Sequence, residues 1–301
     1  MRRRRNLIKK LLLVAGLLIL CFVAGLYLVK MVGTRAEEAR KAQAEAEAQA
    51  QAEAEAQAEE EAAETAAAAE KSEHIYAYSG KSDDQLYTQA AYDSAIESGA
   101  GIIVLPYVVS QDGTLYVADD DDASSLTGTS GAFSGMIDAQ IDALETKAGT
   151  KVMKVSDALE KYGNDVKYVI EPKYTSERNQ QALADLINKY GCADNVIIAS
   201  RYFNGLRSLE SALPDIPKLF ICEEEATFNE ALYRSDVDII SVSKEMMDEE
   251  KLKTAHDNDK KFSVWVLDSE EDIKSAISMG ADSYFTDEAA LAVGLEKERQ
   301  N

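Results

Sequence analysis

The chain has 301 residues, 46 % of them hydrophobic, which is enough for one large folded domain and additional segments. Its net charge of −22 is unevenly distributed along the chain. The first 35 residues carry +8, and the remainder therefore carries −30. An acidic body of this size repels the phosphates of nucleic acids. The charge thus argues against a nucleic-acid partner and leaves a membrane, a protein or a small molecule.

Residues 1–10 are a basic segment, and residues 11–30 are apolar apart from their last lysine. About 20 apolar residues cross a bilayer as a helix, and no small-x-small cleavage pattern follows the stretch. We therefore predict an uncleaved signal anchor with a single pass through the cell membrane. Because six basic residues precede the span, the N-terminus should stay in the cytoplasm and the acidic body should lie outside.

Residues 31–72 are rich in alanine, glutamate and glutamine. These residues favour helix, and the segment has few of the β-branched residues that favour strands. Large apolar residues do not recur at coiled-coil a and d positions, so a stable coiled coil is the weaker alternative. We predict a helical or disordered spacer between the membrane and the remainder of the chain.

The body, residues 73–295, alternates short apolar runs with helical patterns. Nine runs have the composition of buried strands, at residues 75–78, 101–109, 114–118, 167–171, 195–199, 218–222, 238–242, 262–267 and 282–286. An Asp-Gly turn at 112–113 joins the second and third runs as a hairpin. The other eight, linked by helices, predict an α/β fold of the (β/α)8 TIM-barrel type. A doubly wound open sheet is the alternative, although no glycine-rich loop follows a strand.

Several motifs occur in a fixed order. Residues 77–80 read Ala-Tyr-Ser-Gly, residues 99–107 read Gly-Ala-Gly-Ile-Ile-Val-Leu-Pro-Tyr, and residues 171–173 read Glu-Pro-Lys. The C-terminal part has Val-Trp-Val-Leu at 264–267 and Gly-Ala-Asp-Ser-Tyr-Phe-Thr-Asp at 280–287. In order and spacing, these pieces resemble the glycerophosphodiester phosphodiesterase family from residue 76 to residue 291. The resemblance implies the same barrel.

The resemblance also implies a hydrolase that converts glycerophosphodiesters to glycerol 3-phosphate and an alcohol. Such enzymes hold calcium or magnesium with three carboxylates and use two histidines as acid and base. This chain departs from the pattern at the family positions occupied by Tyr78, Ser79, Leu86, Val104, Pro106 and Ala118. Val104 and Pro106 stand in place of two metal carboxylates. Tyr78 and Ala118 stand in place of the two histidines.

A possible remnant of the family site consists of Asp119, Glu171, Lys173, Trp265 and Asp287. Glu171 is the one residue that could still contact a metal, although a structural Glu171–Lys173 pair at the barrel opening is favoured. Trp265 could line a pocket or belong to the core. Residues 119–122 are four consecutive aspartates, which read as a solvated loop rather than a calcium loop because calcium-loop spacing is missing.

Neither of the two histidines fits a catalytic role, because His74 begins the first strand and His256 lies in a helical stretch. Cys192 and Cys222 fall at opposite ends of parallel strands, which argues against a disulfide.

The favoured hypothesis is a catalytically impaired barrel, a pseudoenzyme that binds an unknown protein or small phosphodiester or acts as a scaffold outside the membrane. The alternatives are a divergent metal-dependent phosphodiesterase, using calcium or magnesium, and a mainly structural cap on the anchor and spacer.

Overall fold

A computed structural model describes residues 71–78, 86–174, 176–210 and 212–300. These residues belong to a compact unit, Ala69–Asn301. The basic segment 1–10, the predicted span 11–30 and nearly all of the spacer 31–72 lie outside the described residues. Within the described ranges, no helix is both long and apolar enough to cross a bilayer.

The described residues fold into a closed barrel of eight parallel strands, with helices between successive strands and one antiparallel strand beside the second. The strands are β1 (Ser72–Ala77), β2 (Ala100–Val109), β3 (Leu115–Val117), β4 (Lys167–Pro172), β5 (Val196–Ser200), β6 (Lys218–Cys222), β7 (Ile239–Ser243), β8 (Lys261–Trp265) and β9 (Ser283–Thr286). Closure occurs at β1, because Tyr76 of β1 lies opposite Ile102 of β2 on one side and Phe285 of β9 on the other.

Helices connect the strands on the outside of the barrel. They are α1 (Gln89–Ser98), α2 (Ala123–Thr127), α3 (Asp138–Ile141), α4 (Val155–Tyr162), α5 (Glu177–Tyr190), α6 (Phe203–Glu210), α7 (Glu225–Leu232), α8 (Glu249–Asp257), α9 (Glu270–Met279) and α10 (Ala289–Gln300). Short 3-10 turns lie at Phe133–Gly135, Ala193–Asn195 and Lys244–Met246. Every barrel strand is therefore followed by at least one helix, as in other (β/α)8 barrels.

The sequence prediction of the barrel is confirmed, and all nine apolar runs are strands. The hairpin is also confirmed, because β3 runs antiparallel to β2. The alternative of an open sheet is wrong, since β1 pairs with both β2 and β9 and so closes the ring. The predicted ends differ slightly: β1 begins at Ser72 rather than at residue 75, and β8 ends at Trp265 rather than at residue 267.

Local sequence signals place the ends of the helices. Ser176 and Ser269 cap α5 and α9, since each hydroxyl accepts a hydrogen bond from a backbone N–H in the first turn. Gly191 and Gly280 end the same helices with positive φ angles of 61° and 87°, a conformation that costs glycine little. The serine and glycine signals therefore fix where each helix begins and ends.

Close packing at the barrel seam requires a glycine in β2. A Cβ at Gly101 would lie 2.7 Å from the carbonyl oxygen of Ser72 in β1, which is closer than non-bonded carbon and oxygen atoms approach. Glycine thus allows the first two strands to meet where the barrel closes.

The core has two parts, divided by the wall of strands. The inner part fills the barrel with alternate residues of each strand, among them Tyr76, Val104 and Val169. The larger outer part lies between the strands and the helices and includes Ile103, Tyr168 and Phe262. Because neighbouring side chains alternate between the two parts, every second residue at a strand's carboxyl end faces the opening of the barrel.

Tyr92 connects α1 to the barrel wall. Its ring is 2 % exposed, and its hydroxyl donates a 2.7 Å hydrogen bond to the carbonyl oxygen of Val104 in β2. A Tyr92→Phe substitution should lower the free energy of unfolding by about 1–2 kcal/mol, because it removes a buried hydrogen bond. Denaturant titration of the full chain measures the change.

Tyr233→Phe is the matched control, because this ring is 80 % exposed. It should alter the free energy of unfolding by no more than about 0.5 kcal/mol. Equal effects of the two substitutions would show that the Tyr92 hydroxyl does not stabilise the barrel.

Candidate functional site

The carboxyl ends of the strands bring together most of the side chains that the sequence analysis selected. We call this group the barrel mouth and define it as Tyr78, Asp119, Glu171, Lys173, Arg201, Glu223 and Trp265. These residues lie at or just after the ends of β1, β3, β4, β5, β6 and β8. Catalytic and binding sites of (β/α)8 barrels lie at this end, so the barrel mouth is the candidate functional site.

Glu171 is the most deeply buried charged residue of the barrel mouth. The residue is 2 % exposed, and its Oε1 lies 3.0 Å from Nζ of Lys173 and 3.7 Å from Nε of Arg201. A buried carboxylate without a counter-charge would be strongly destabilising. Lys173 and Arg201 therefore supply the positive charge that Glu171 needs.

Asp119 extends this network towards β1. Its carboxylate pairs with the ammonium of Lys173 and accepts a 2.7 Å hydrogen bond from the hydroxyl of Tyr78. Tyr87 packs edge-on against Tyr78, with ring centroids 6.0 Å apart. Lys173 thus lies between two carboxylates, and the Tyr78 hydroxyl acts as a donor.

Arg201 extends the network in the other direction. Its guanidinium pairs with Glu223 and lies over the ring of Trp265, 5.0 Å from the ring centroid. Trp265 is fixed in turn, because its Nε1 donates a 3.2 Å hydrogen bond to the carbonyl oxygen of Ser241. The arginine therefore binds an aromatic face and two carboxylates at once.

Burial shifts the proton equilibria at the barrel mouth. Desolvation raises the pKa of the Glu171 carboxyl above its usual value, although Lys173 opposes that shift. Desolvation also raises the pKa of the Tyr78 and Tyr87 hydroxyls far above their usual range. The raised pKa favours the protonated form of Tyr78, which is the form that donates to Asp119.

Most of the family positions that the structure describes hold hydrocarbon side chains. Val104 is buried inside the barrel, and Pro106 is buried opposite Glu171 in the β2–β4 register. Ala118 is 1 % exposed. Leu86 packs against the outer core, and Ser79 lies outside the described residues. Of these, the described side chains other than Tyr78 are hydrocarbon and provide neither metal ligands nor protons.

The described residues do not fit the calcium or magnesium ion that the family resemblance implies. Among these residues, no group of three or more histidine, cysteine, aspartate or glutamate side chains is arranged to hold a metal. Glu171 is the one family carboxylate position that retains an oxygen ligand, and the nearest charge to its Oε1 is the ammonium of Lys173. An ammonium thus lies against the oxygen that the family offers to a metal.

The four aspartates at 119–122 build a loop. Asp120 accepts a hydrogen bond from the backbone N–H of Asp122, and Asp121 accepts bonds from the backbone N–H and the hydroxyl of Ser134. Asp122 caps α2 by accepting from the N–H of Ser124. Asp119 is the member that faces the barrel mouth. These contacts support the interpretation as an acidic loop rather than a calcium loop.

Asp287, another proposed remnant, follows β9 beside the barrel mouth. Its backbone N–H donates a 2.8 Å hydrogen bond to the carboxylate of Asp268, and its negative charge helps to raise the pKa of Tyr87. Asp287 therefore adds a negative charge near Tyr87.

The two histidines lie at the other end of the barrel, His74 in β1 and His256 in α8, the strand and the helical stretch that the sequence predicts for them. Nδ1 of His74 is 2.8 Å from the carbonyl oxygen of Asp282, and Nε2 of His256 is 2.7 Å from the carboxylate of the same residue. Both rings donate to Asp282, just before β9. Cys192 and Cys222 are buried free thiols.

The sequence analysis missed Arg201. Its position offered a signal, because Arg201 directly follows the last residue of β5 and is a cation in a strongly acidic body. A basic side chain at the carboxyl end of a barrel strand indicates a functional or pairing role. Glu223 was noted only as part of an acidic run, and its partnership with Arg201 depends on the neighbouring positions of β5 and β6.

Comparison with known proteins agrees with this architecture. The sequence model of the glycerophosphoryl diester phosphodiesterase family matches residues 80–291 of the chain. That range is more than half of the chain and includes β2 to β9 with their connecting helices. No curated protein matches the chain.

Solved structures share the fold at low sequence identity. A phosphodiesterase from Oleispira antarctica, in complex with its product sn-glycerol-3-phosphate, is 18 % identical with a TM-score of 0.69 over 74 % of this chain and 96 % of that one. A putative glycerophosphoryl diester phosphodiesterase from Agrobacterium tumefaciens is 16 % identical, with a TM-score of 0.67 over 75 % and 98 %. A glycerophosphodiester phosphodiesterase from Thermotoga maritima is 21 % identical, with a TM-score of 0.62 over 73 % and 97 %.

Because the pKa of Glu171 is raised, we expect the free energy of unfolding to depend on pH through this residue. The folded state holds the Glu171 proton more tightly than the unfolded state does, so the stability that this residue contributes is complete below its ordinary pKa of 4.5 and is lost as pH rises. A Glu171→Gln chain, which resembles the protonated form, should therefore be more stable than the wild type at pH 7. The difference should shrink as the pH approaches 4.

Denaturant titrations between pH 4 and pH 8 provide the measurement, with Glu160→Gln on the exposed side of α4 as the control. The free energy of unfolding of the control should differ from that of the wild type by no more than about 0.5 kcal/mol, because its side chain is exposed. If Glu171→Gln is less stable than the wild type at pH 7, pairing with Lys173 outweighs the desolvation of Glu171.

Proposed function

Since the chain belongs to the glycerophosphoryl diester phosphodiesterase family, we propose that its barrel is a catalytically impaired member that acts as a binding or scaffold module. The one observation that carries this proposal is the environment of Glu171. The carboxylate at a family metal position is buried against Lys173 at 3.0 Å, and Pro106, at another family metal position, lies opposite it on β2. Protein side chains thus supply the charge balance that a metal ion would provide.

The acid and base positions support the same proposal. Tyr78 keeps its proton, because burial raises the pKa of its hydroxyl, and Ala118 has a buried methyl group. General acid–base catalysis contributes about 100 to 10,000-fold in rate, and a bound metal adds charge neutralisation at the phosphoryl oxygens. A chain that lacks both contributions at these positions would hydrolyse phosphodiesters very slowly.

A divergent metal-dependent phosphodiesterase is the alternative function. It would need Tyr78 as acid or base and a metal site rebuilt around Glu171, Asp119 and calcium or magnesium. The contacts of these residues do not favour it, because Asp119 accepts from Tyr78 and pairs with Lys173. Both carboxylates would have to give up internal partners before they could hold a cation.

The proposed module is anchored in the cell membrane through residues 11–30, with a cytoplasmic N-terminus and the barrel outside the cytoplasm. The support is the sequence itself: six basic residues precede an apolar stretch of the length that spans a bilayer. Residues 31–72 would act as the spacer. The proposed partner is a protein or a small phosphodiester rather than a nucleic acid, because the body is strongly acidic.

The full chain, purified in an uncharged detergent, should not hydrolyse glycerophosphocholine with calcium or magnesium faster than its Glu171→Ala variant does. Release of glycerol 3-phosphate is the readout, and the Thermotoga maritima family member is the positive control. Denaturant unfolding must show that both samples are folded. Turnover by the wild type that the Glu171→Ala variant lacks would replace the pseudoenzyme proposal with a rebuilt metal site.

Deletion of residues 1–30 should release the chain from the membrane fraction of cells into the soluble fraction. Deletion of residues 31–60 removes the same number of residues but keeps the apolar stretch, so this variant should remain with the membranes. Protease is added to cells whose cytoplasmic membrane is intact and whose outer envelope layers have been made permeable. It should cleave the barrel domain of the full chain. If both deletion variants were found equally in the soluble fraction, residues 11–30 would not be the anchor. If the barrel were fully protected from the protease, it would not lie outside the cytoplasm.

A further inference from the structure

Arg201 lies in a site that is built to bind a planar cation. Its guanidinium packs on the face of Trp265 at 5.0 Å from the ring centroid and pairs with Glu223. Its Nε lies 3.7 Å from Oε1 of Glu171, whose side chain is 3 % exposed. An aromatic face combined with two carboxylates is the environment that guanidinium and ammonium groups prefer.

This site is open to solvent on one side. The side chain of Arg201 is 34 % exposed and that of Glu223 is 56 % exposed. The Arg201–Glu223 pair at this surface is screened by water, so it stabilises the chain only weakly. An incoming cation that replaces Arg201 at Trp265 takes over the place of its 3.7 Å contact with buried Glu171, while Lys173 at 3.0 Å continues to neutralise that carboxylate.

Two exposed aromatic side chains flank the site. Tyr174 is 56 % exposed and Tyr202 is 63 % exposed, and they are two of the four large apolar side chains exposed among the described residues. Each follows a cation of the barrel mouth, Lys173 or Arg201, at the ends of the paired strands β4 and β5. Exposed tyrosines next to tryptophan and arginine are typical of protein interfaces.

The carboxylates around the site favour a positively charged partner. Asp119 and Glu223 lie at the barrel mouth itself, and further acidic residues follow each of them in the chain, at 120–122 and 224–225. Lys173 and Arg201, the two basic residues of the barrel mouth, are both paired with carboxylates. An anionic ligand would meet net repulsion there, whereas a basic segment would be attracted.

We propose that the barrel mouth binds a basic segment of another protein, whose lysine or arginine side chain takes the place of Arg201 on Trp265 and beside Glu223. Tyr174 and Tyr202 pack against the remainder of that segment. Arg201 then acts as an internal competitor that occupies the face of Trp265 when no partner is bound. The inference rests on the proposed binding function and specifies the chemical class of its partner.

The single tryptophan of the chain gives a direct readout, since Trp265 fluorescence reports only on the barrel mouth. The full chain in an uncharged detergent is titrated with a hexaarginine peptide, and a saturable change in fluorescence is expected. Glu223→Gln and Tyr202→Ala should each weaken binding by about 3 to 30-fold, in the range of cation–π and interface contacts.

Glu160→Gln is the control for charge, because it removes one exposed carboxylate from the outer helix α4. It should weaken binding by less than about twofold, since exposed charges beyond about 10 Å are screened in 0.1 M salt. Equal weakening by Glu160→Gln and Glu223→Gln would overturn the proposal, because it would show binding to the overall negative field. A titration without any change in Trp265 fluorescence would overturn it as well.

Arg201→Ala tests the internal competitor. Removal of the guanidinium should tighten hexaarginine binding by about 3 to 30-fold. Lys189→Ala is the matched control, because Lys189 also lies over an aromatic ring, that of Tyr190 at 4.9 Å, but on the outer helix α5. Equal effects of the two variants would contradict competition by Arg201.

Glycerol 3-phosphate separates this inference from the proposed lack of catalysis. If it changes Trp265 fluorescence at lower concentration than hexaarginine does, the barrel mouth is an anion site and the inference is wrong, whether or not the chain hydrolyses phosphodiesters. Turnover of glycerophosphocholine would overturn the pseudoenzyme proposal instead. The two proposals therefore fail through different measurements.

Discussion

The arrangement of the barrel mouth depends on one constraint, the burial of the Glu171 carboxylate. A charge that is 2 % exposed to solvent must be neutralised within the protein. Lys173, two residues further along the chain after β4, satisfies this requirement at 3.0 Å, and Arg201 contributes from the neighbouring strand end. Asp119 and Glu223 then pair with these two cations. The pairs join the ends of β3, β4, β5 and β6 into one polar network.

The contacts that close the barrel lie outside this network. Closure rests on the pairing of β1 with β2 and β9, on a glycine at the seam and on two hydrophobic cores. Polar contacts at the opposite end, such as those of His74 and His256 with Asp282, hold β1, α8 and β9 together. Residues at the barrel mouth are therefore free to differ from those of related enzymes.

The chemistry of the barrel mouth and its charge lead to the same interpretation. Val104, Pro106 and Ala118 occupy family positions without metal ligands or proton carriers, and desolvation raises the pKa of the partly buried Tyr78 hydroxyl. The remaining charged groups bind one another, and an excess of carboxylates surrounds them. Such a surface repels anions and attracts cations. Binding without catalysis is the function that we propose from both properties.

The sequence alone determined the strands, the helices and their order, because their patterns are local: alternation of apolar runs with capped helices, the Asp-Gly hairpin after β2, and serine and glycine at the helix ends. It also identified the positions where the family chemistry is missing, since those depend on residue type and order. The contacts of Glu171 and the position of Arg201 on Trp265 were decided by the tertiary structure. Residues 171, 201 and 265 are distant in sequence, and only barrel closure and strand register place their side chains together.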